Sequence, residues 1–168
     1  MRNNLKTIIL MGFLGAIVVV SQIALNFIPN VELVSLLLII FTLIYEKKAL
    51  YIVFVFVMSM GLMYGFGLWW IGYLIIWPAL VMITYILKNK FNKNFLGLAI
   101  FSAGFGLIFG ALYAIPYIFA SGMNVAIAYW IRGIPFDLIH MVGNYFAMIL
   151  LGEKIYNLLL FSNKKYGY

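Results

Sequence analysis

From Ala49 to Leu87 the chain carries no charged residue, and the same holds from Thr7 to Ile28 and from Asn94 to Ile131, while lysines gather in the short gaps. Apolar stretches of that length leave few ways to fold, because a helix of roughly 20 such residues covers the hydrocarbon of a bilayer. Composition agrees: 67% of the 168 residues are hydrophobic and only 9% charged, well outside the range of a water-soluble domain. The first apolar run is too long for the core of a cleavable leader and lacks a small-residue cleavage site, so it reads as a first span. Without cysteine there is no disulfide framework and no thiolate metal site.

Interruptions by charges, Asn and Gly-rich aromatic loops divide the chain into six segments, at about 7–28, 31–45, 49–64, 68–87, 95–119 and 135–161. Short connectors predict an all-α integral membrane protein, a compact bundle of six transmembrane helices in one domain spanning 1–168. The alternating pattern of a membrane barrel is absent. Arg2, Lys6, Lys47, Lys48, Lys88, Lys90, Lys93, Lys154, Lys164 and Lys165 all fall on one side of this arrangement, and Arg132 alone falls on the other. Cytoplasmic loops carry the excess of Lys and Arg, so both termini are expected in the cytoplasm, in a multi-pass protein of the cell membrane. Cations distributed among alternate loops argue against a nucleic-acid surface.

On the outer side the unusual residues collect. Glu32 opens the second segment, Trp69 and Trp70 open the fourth, and Arg132, Asp137, His140 and Asn144 surround the start of the sixth. Pro135 suits a first helical turn and Asp137 the positive end of the helix dipole, so Asp137 has a plain reading as a helix-start residue. That reading does not account for His140 and Asn144, which follow at i+3 and i+7 and share a face with it. At 1.5 Å per residue this polar stripe descends about 10 Å into the membrane, where ionisable groups normally face a bundle interior or a wet cavity. A single satisfied histidine in a packed interior is the plain alternative for His140.

Glu32 and Glu46 bracket only thirteen residues, too few for the usual hydrocarbon thickness, so one end of that segment is expected to be recessed. Glu32 is then expected within reach of Arg132, unless it lies simply at headgroup level. Trp70, Tyr73 and Trp77 recur at i, i+3 and i+7. Trp69 and Trp70 suit an interfacial belt, whereas Trp77 lies deeper and its indole N–H calls for an acceptor. Ser102, Gly106, Gly110 and Ala114, spaced by fours, form a smooth stripe for close helix packing. Gly12 and Ala16 repeat that spacing, with Gly15 adjacent, and suit docking inside the bundle or against another protein.

NFIPNVELVSLLLIIFTLIY, the GFGLWW loop and WIRGIPFDLIHMVGN, in that order, resemble the substrate-specific component, or S component, of energy-coupling-factor (ECF) transporters for vitamins and related micronutrients. The resemblance extends over nearly the whole chain. It implies a small membrane subunit that holds its nutrient in an outward-facing pocket and associates with a transmembrane coupling protein and two cytoplasmic ATPases. It also implies that Gly12 and Ala16 stand where that family has a small-residue docking motif. The candidate substrate-binding residues are Glu32, Trp69, Trp70, Tyr73, Arg132, Asp137, His140 and Asn144, with no catalytic residue, metal or cofactor.

No phosphate-binding G-x-x-x-x-G-K-[ST] loop, no H-E-x-x-H and no G-x-S-x-G occur, so any energy source is expected in partner chains. Two rival classes use the same residues. An intramembrane enzyme would employ Asp137 and His140 as an acid–base pair, and a stand-alone proton-coupled carrier would use the carboxylates as relays.

Overall fold

A computed structural model of the chain describes residues 2–91 and 93–166, with side chains described for 5–91 and 93–165. Every regular element among them is helical. The chain forms α1 (Arg2–Ala24), α2 (Val34–Tyr45), α3 (Ala49–Tyr64), α4 (Leu68–Phe91), α5 (Phe95–Ser121) and α6 (Met123–Ala147). A π turn, Met148–Gly152, joins α6 to α7 (Glu153–Tyr166) without a break. Four stretches are long and apolar enough to cross a membrane: Leu5–Ala24, Leu68–Phe91, Phe95–Ser121 and Met123–Lys165.

The second helix organises the rest. It has 12 residues, and every one from Val34 to Thr42 is buried. A helix that is apolar all round belongs inside a bundle, and here it touches every other helix. At about 18 Å it is shorter than the hydrocarbon, which leaves room above its N-terminus. Glu46 reverses the chain into α3 with φ of 55°, a left-handed backbone that an L-residue adopts only when the turn demands it. Around this centre the outward faces are greasy: Ile8, Phe13, Phe54, Leu62, Ile86 and Ile100 are all exposed.

Lipid supplies no hydrophobic force between helices, so close van der Waals approach and hydrogen bonds must hold them. The tightest pair is α5 with α6. A Cβ on Gly106 would lie 2.9 Å from the His140 carbonyl carbon, and one on Gly110 would lie 2.4 Å from Asp137 Oδ2. Ser102 and Ala114 complete that stripe and are buried. Gly15 plays the same part between α1 and α3, where a Cβ would meet Val55 at 2.7 Å.

The cationic end of the bundle is fixed by contacts among connectors distant in sequence. The Tyr45 hydroxyl donates to Asn163 Oδ1 at 3.0 Å, Lys88 pairs with Glu46, and Lys47 and Lys88 lie 5.1 and 4.8 Å from the centre of the Tyr85 ring. The Lys88 ammonium holds the exposed Glu46 carboxyl below the usual carboxylate range. Glu32 sits at the other end of α2, and with it lies the candidate site.

One boundary differs materially from the sequence expectation. The last segment does not begin near Pro135. The helix starts at Met123, directly after Gly122, and Pro135 lies in its interior. Pro78 and Pro116 are likewise inside α4 and α5. Neighbouring helices can compensate the lost N–H in a membrane bundle, so proline is a weak terminator there. Gly122, with φ of 87°, makes the turn between α5 and α6, and 123–134 form a helix where the expectation had a linker. Asp137 is therefore not a helix-start residue, and another reason is needed for its place.

Candidate functional site: a polar cluster beside an aromatic cavity

Ala126, Asp137, His140 and Asn144 are the buried residues of α6. The polar stripe thus lies on one face, and that face packs against the small-residue stripe of α5. Asp137 Oδ1 accepts the Gly110 N–H at 2.9 Å, and Asn144 Nδ2 donates to the Ser102 carbonyl at 3.3 Å. The two patterns, joined by contacts 27 and 42 residues apart along the hairpin, are the halves of one interface.

Glu32 joins this cluster from the segment before α2. Its Oε2 accepts the Ser35 N–H at 2.8 Å, satisfying a free donor at the start of that helix. Its Oε1 lies 2.9 Å from His140 Nε2, and both side chains are buried. Glu32 therefore meets His140, not Arg132, as its partner. Just upstream, Asn30 adopts φ of 56°, which Asn tolerates better than most residues, and its Nδ2 donates to the Phe136 carbonyl at 3.1 Å. Two contacts thus tie the α1–α2 connector to α6.

Above the cluster is a cavity of about 620 Å³. Its wall includes Tyr73 of α4, Phe109, Gly110 and Tyr113 of α5, and Tyr129, Arg132, Gly133 and Asp137 of α6. A second hollow of about 210 Å³ under the connector is bordered by Glu32, Trp77 and His140. Asn30, Tyr73 and Phe109 border both, so the two form neighbouring compartments. Rings frame this space. Phe109 and Tyr113 stack at 5.6 Å, Tyr117 and Tyr129 at 4.5 Å, and the His140 ring meets Phe109 edge-on at 4.9 Å. Asp137 Oδ2, His140 Nδ1 and Trp77 Nε1 are buried without a hydrogen-bond partner among the described residues.

The expected site residues divide accordingly. Tyr73, Arg132 and Asp137 border the larger cavity, and Tyr73, Glu32 and His140 the smaller. Asn144 lies below both, on Ser102. Trp69 packs edge-on against Tyr73 at 5.3 Å without reaching the cavity wall. Trp70 turns away to α3, where its indole N–H donates to the Val57 carbonyl at 2.9 Å and its ring meets Phe66. Gly12 and Ala16 are on the outward face of α1: a Cβ on Gly12 would touch nothing within 4 Å, and Ala16 is exposed.

Asn30, Phe109, Tyr113 and Tyr129 were not anticipated. A signal for them existed. Phe109, Tyr113 and Tyr117 recur every fourth residue in α5, and Tyr129 and Gly133 continue the phase of Asp137 backwards through α6. The expected gap between segments 95–119 and 135–161 takes in Tyr129 and Gly133 and so leaves that second series out.

Fold and site together define an all-helical protein of membrane type, with a buried polar cluster and an aromatic cavity at the end of the bundle away from the lysines. No protein-family model, curated protein or solved structure matches this chain.

Proposed function

We propose that the chain is the substrate-binding membrane subunit of an ECF-type importer. In this reading six helices span the plasma membrane of a bacterium, both termini are cytoplasmic, and the cavity faces outward. It captures a vitamin or related micronutrient and delivers it through a transmembrane coupling protein driven by two cytoplasmic ATPases. The subunit binds and performs no chemistry. The observation that carries this proposal is the cavity of about 620 Å³ at the end opposite the lysines, a size and an apolar-with-few-polar lining that suit a small molecule. The sequence resemblance to S components supports it, and the outward-facing Gly12 and Ala16 offer a smooth track on α1 for the coupling protein.

A stand-alone proton-coupled carrier is supported by one observation, the buried Glu32–His140 pair beside the smaller hollow. The intramembrane enzyme has less support, because Asp137 and His140 are bonded to Gly110 and Glu32 and not to each other. Affinity purification from native membranes tests the proposal. Recovery of a coupling protein and two ATPases is the expected result. Uptake by proteoliposomes containing this chain alone would replace it with the carrier.

A further inference from the structure

The geometry points to a particular class of ligand: a ring-bearing, dipolar small molecule that places an ammonium group against Asp137 and an anionic group against Arg132. This rests on the binding-subunit reading and gives that pocket its substrate chemistry.

The deep end of the cavity holds a carboxyl group that is only half used. Asp137 is 2% exposed, its Oδ1 is occupied by the Gly110 N–H, and its Oδ2 has no donor among the described residues. Nor does any described cation lie within ion-pairing distance of it. A buried carboxyl oxygen without a donor is costly, and a ligand N–H arriving through the cavity removes that cost. An acidic group arriving there would raise it. The deep end therefore selects donors and cations.

Arg132 supplies the opposite preference. It is exposed, borders the same cavity, and has no carboxylate within ion-pairing distance among the described residues, since Glu32 is taken by His140. Its guanidinium is thus free to take a carboxylate or phosphate in a bidentate manner. Arg132 and Asp137 are five residues apart on one helix, about 7.5 Å along its axis, a gap the long Arg132 side chain can close onto the carboxylate of a zwitterion whose ammonium sits at Asp137. Between them Gly133 has no side chain, and a Cβ built there meets nothing within 4 Å. The space so left is bounded by Tyr73, Tyr113 and Tyr129, whose ring faces suit both an aromatic ring and a nearby cation.

Four probes that share the indole ring system separate these contributions: indole, tryptamine, indole-3-acetate and tryptophan, with binding to the purified full chain in detergent measured by saturation-transfer NMR and calorimetry. Tryptophan should bind most tightly and tryptamine next, with indole-3-acetate weaker than either. Asp137→Asn should weaken tryptamine and tryptophan about tenfold or more and leave indole unchanged. Arg132→Gln should weaken tryptophan and spare tryptamine. Gly133→Leu fills the cavity without touching the core, so it should abolish all binding while the helical spectrum stays that of the parent chain. Preference for indole-3-acetate, failure of both amines to bind, or amine binding indifferent to Asp137→Asn would each overturn the inference. Recovery of the coupling protein is scored separately. Partners recovered with the wrong ligand preference would sink the ligand class alone, and the predicted preference without partners would sink the importer.

Discussion

Gly110→Ala probes why a polar stripe is tolerated between α5 and α6. The added Cβ would stand 2.4 Å from Asp137 Oδ2 and 2.8 Å from Oδ1, well inside van der Waals contact. Either the helices separate or the carboxyl turns, and in both cases the Gly110 N–H loses its acceptor. Overpacking of this kind costs about 1–3 kcal/mol, and a lost hydrogen bond to a carboxylate about 1.5–3 kcal/mol. Better helix propensity returns at most about 1 kcal/mol. A net destabilisation of about 1.5–6 kcal/mol is expected, read from reversible SDS unfolding in mixed micelles by far-UV circular dichroism. Gly104→Ala is the control on the same helix, since a Cβ there meets nothing within 4 Å, and it should be neutral or slightly stabilising. Asp137→Ala removes the obstructing group, so the double variant Gly110→Ala/Asp137→Ala should cost clearly less than the two changes summed. If Gly110→Ala unfolds together with Gly104→Ala, the close carboxyl contact is not what sets the helix separation, and the reasoning fails.

Glu32→Ala should cost about 3–5 kcal/mol, because it leaves His140 Nε2 buried without its partner and uncaps Ser35. The apolar pair Glu32→Leu/His140→Phe should recover much of that in the same unfolding assay. Trp70→Phe should lose about 0.5–1.5 kcal/mol with its bond to Val57, and leave the affinity of any cavity ligand unchanged. Glu46 has a depressed carboxyl pKa in the folded protein because Lys88 is bonded to it. The stability this pair contributes is present above the unfolded carboxylate value and is lost as pH falls through the lowered folded one. Melting temperature should therefore decline on the acid side, and Lys88→Met should flatten that decline; equal acid limbs in the two proteins would dismiss the pair.

The chain's own letters were enough to show helices with apolar outward faces of membrane type, because long charge-free runs have few other solutions. Helical phase placed Asp137, His140 and Asn144 on one face, and the spacing of Ser102, Gly106, Gly110 and Ala114 marked a close contact. The shortness of α2 was also readable from Glu32 and Glu46. Phase along one helix says nothing about which neighbour it meets. Only the packed structure brought the polar stripe onto the glycine stripe and gave Glu32 to His140, through contacts 27 to 108 residues apart, and so left Arg132 without a carboxylate among the described residues. The start of α6 was beyond local reading for a related reason: Gly133 and Pro135 punctuate a helix in water, but in a bundle the adjoining helices can carry the backbone through them.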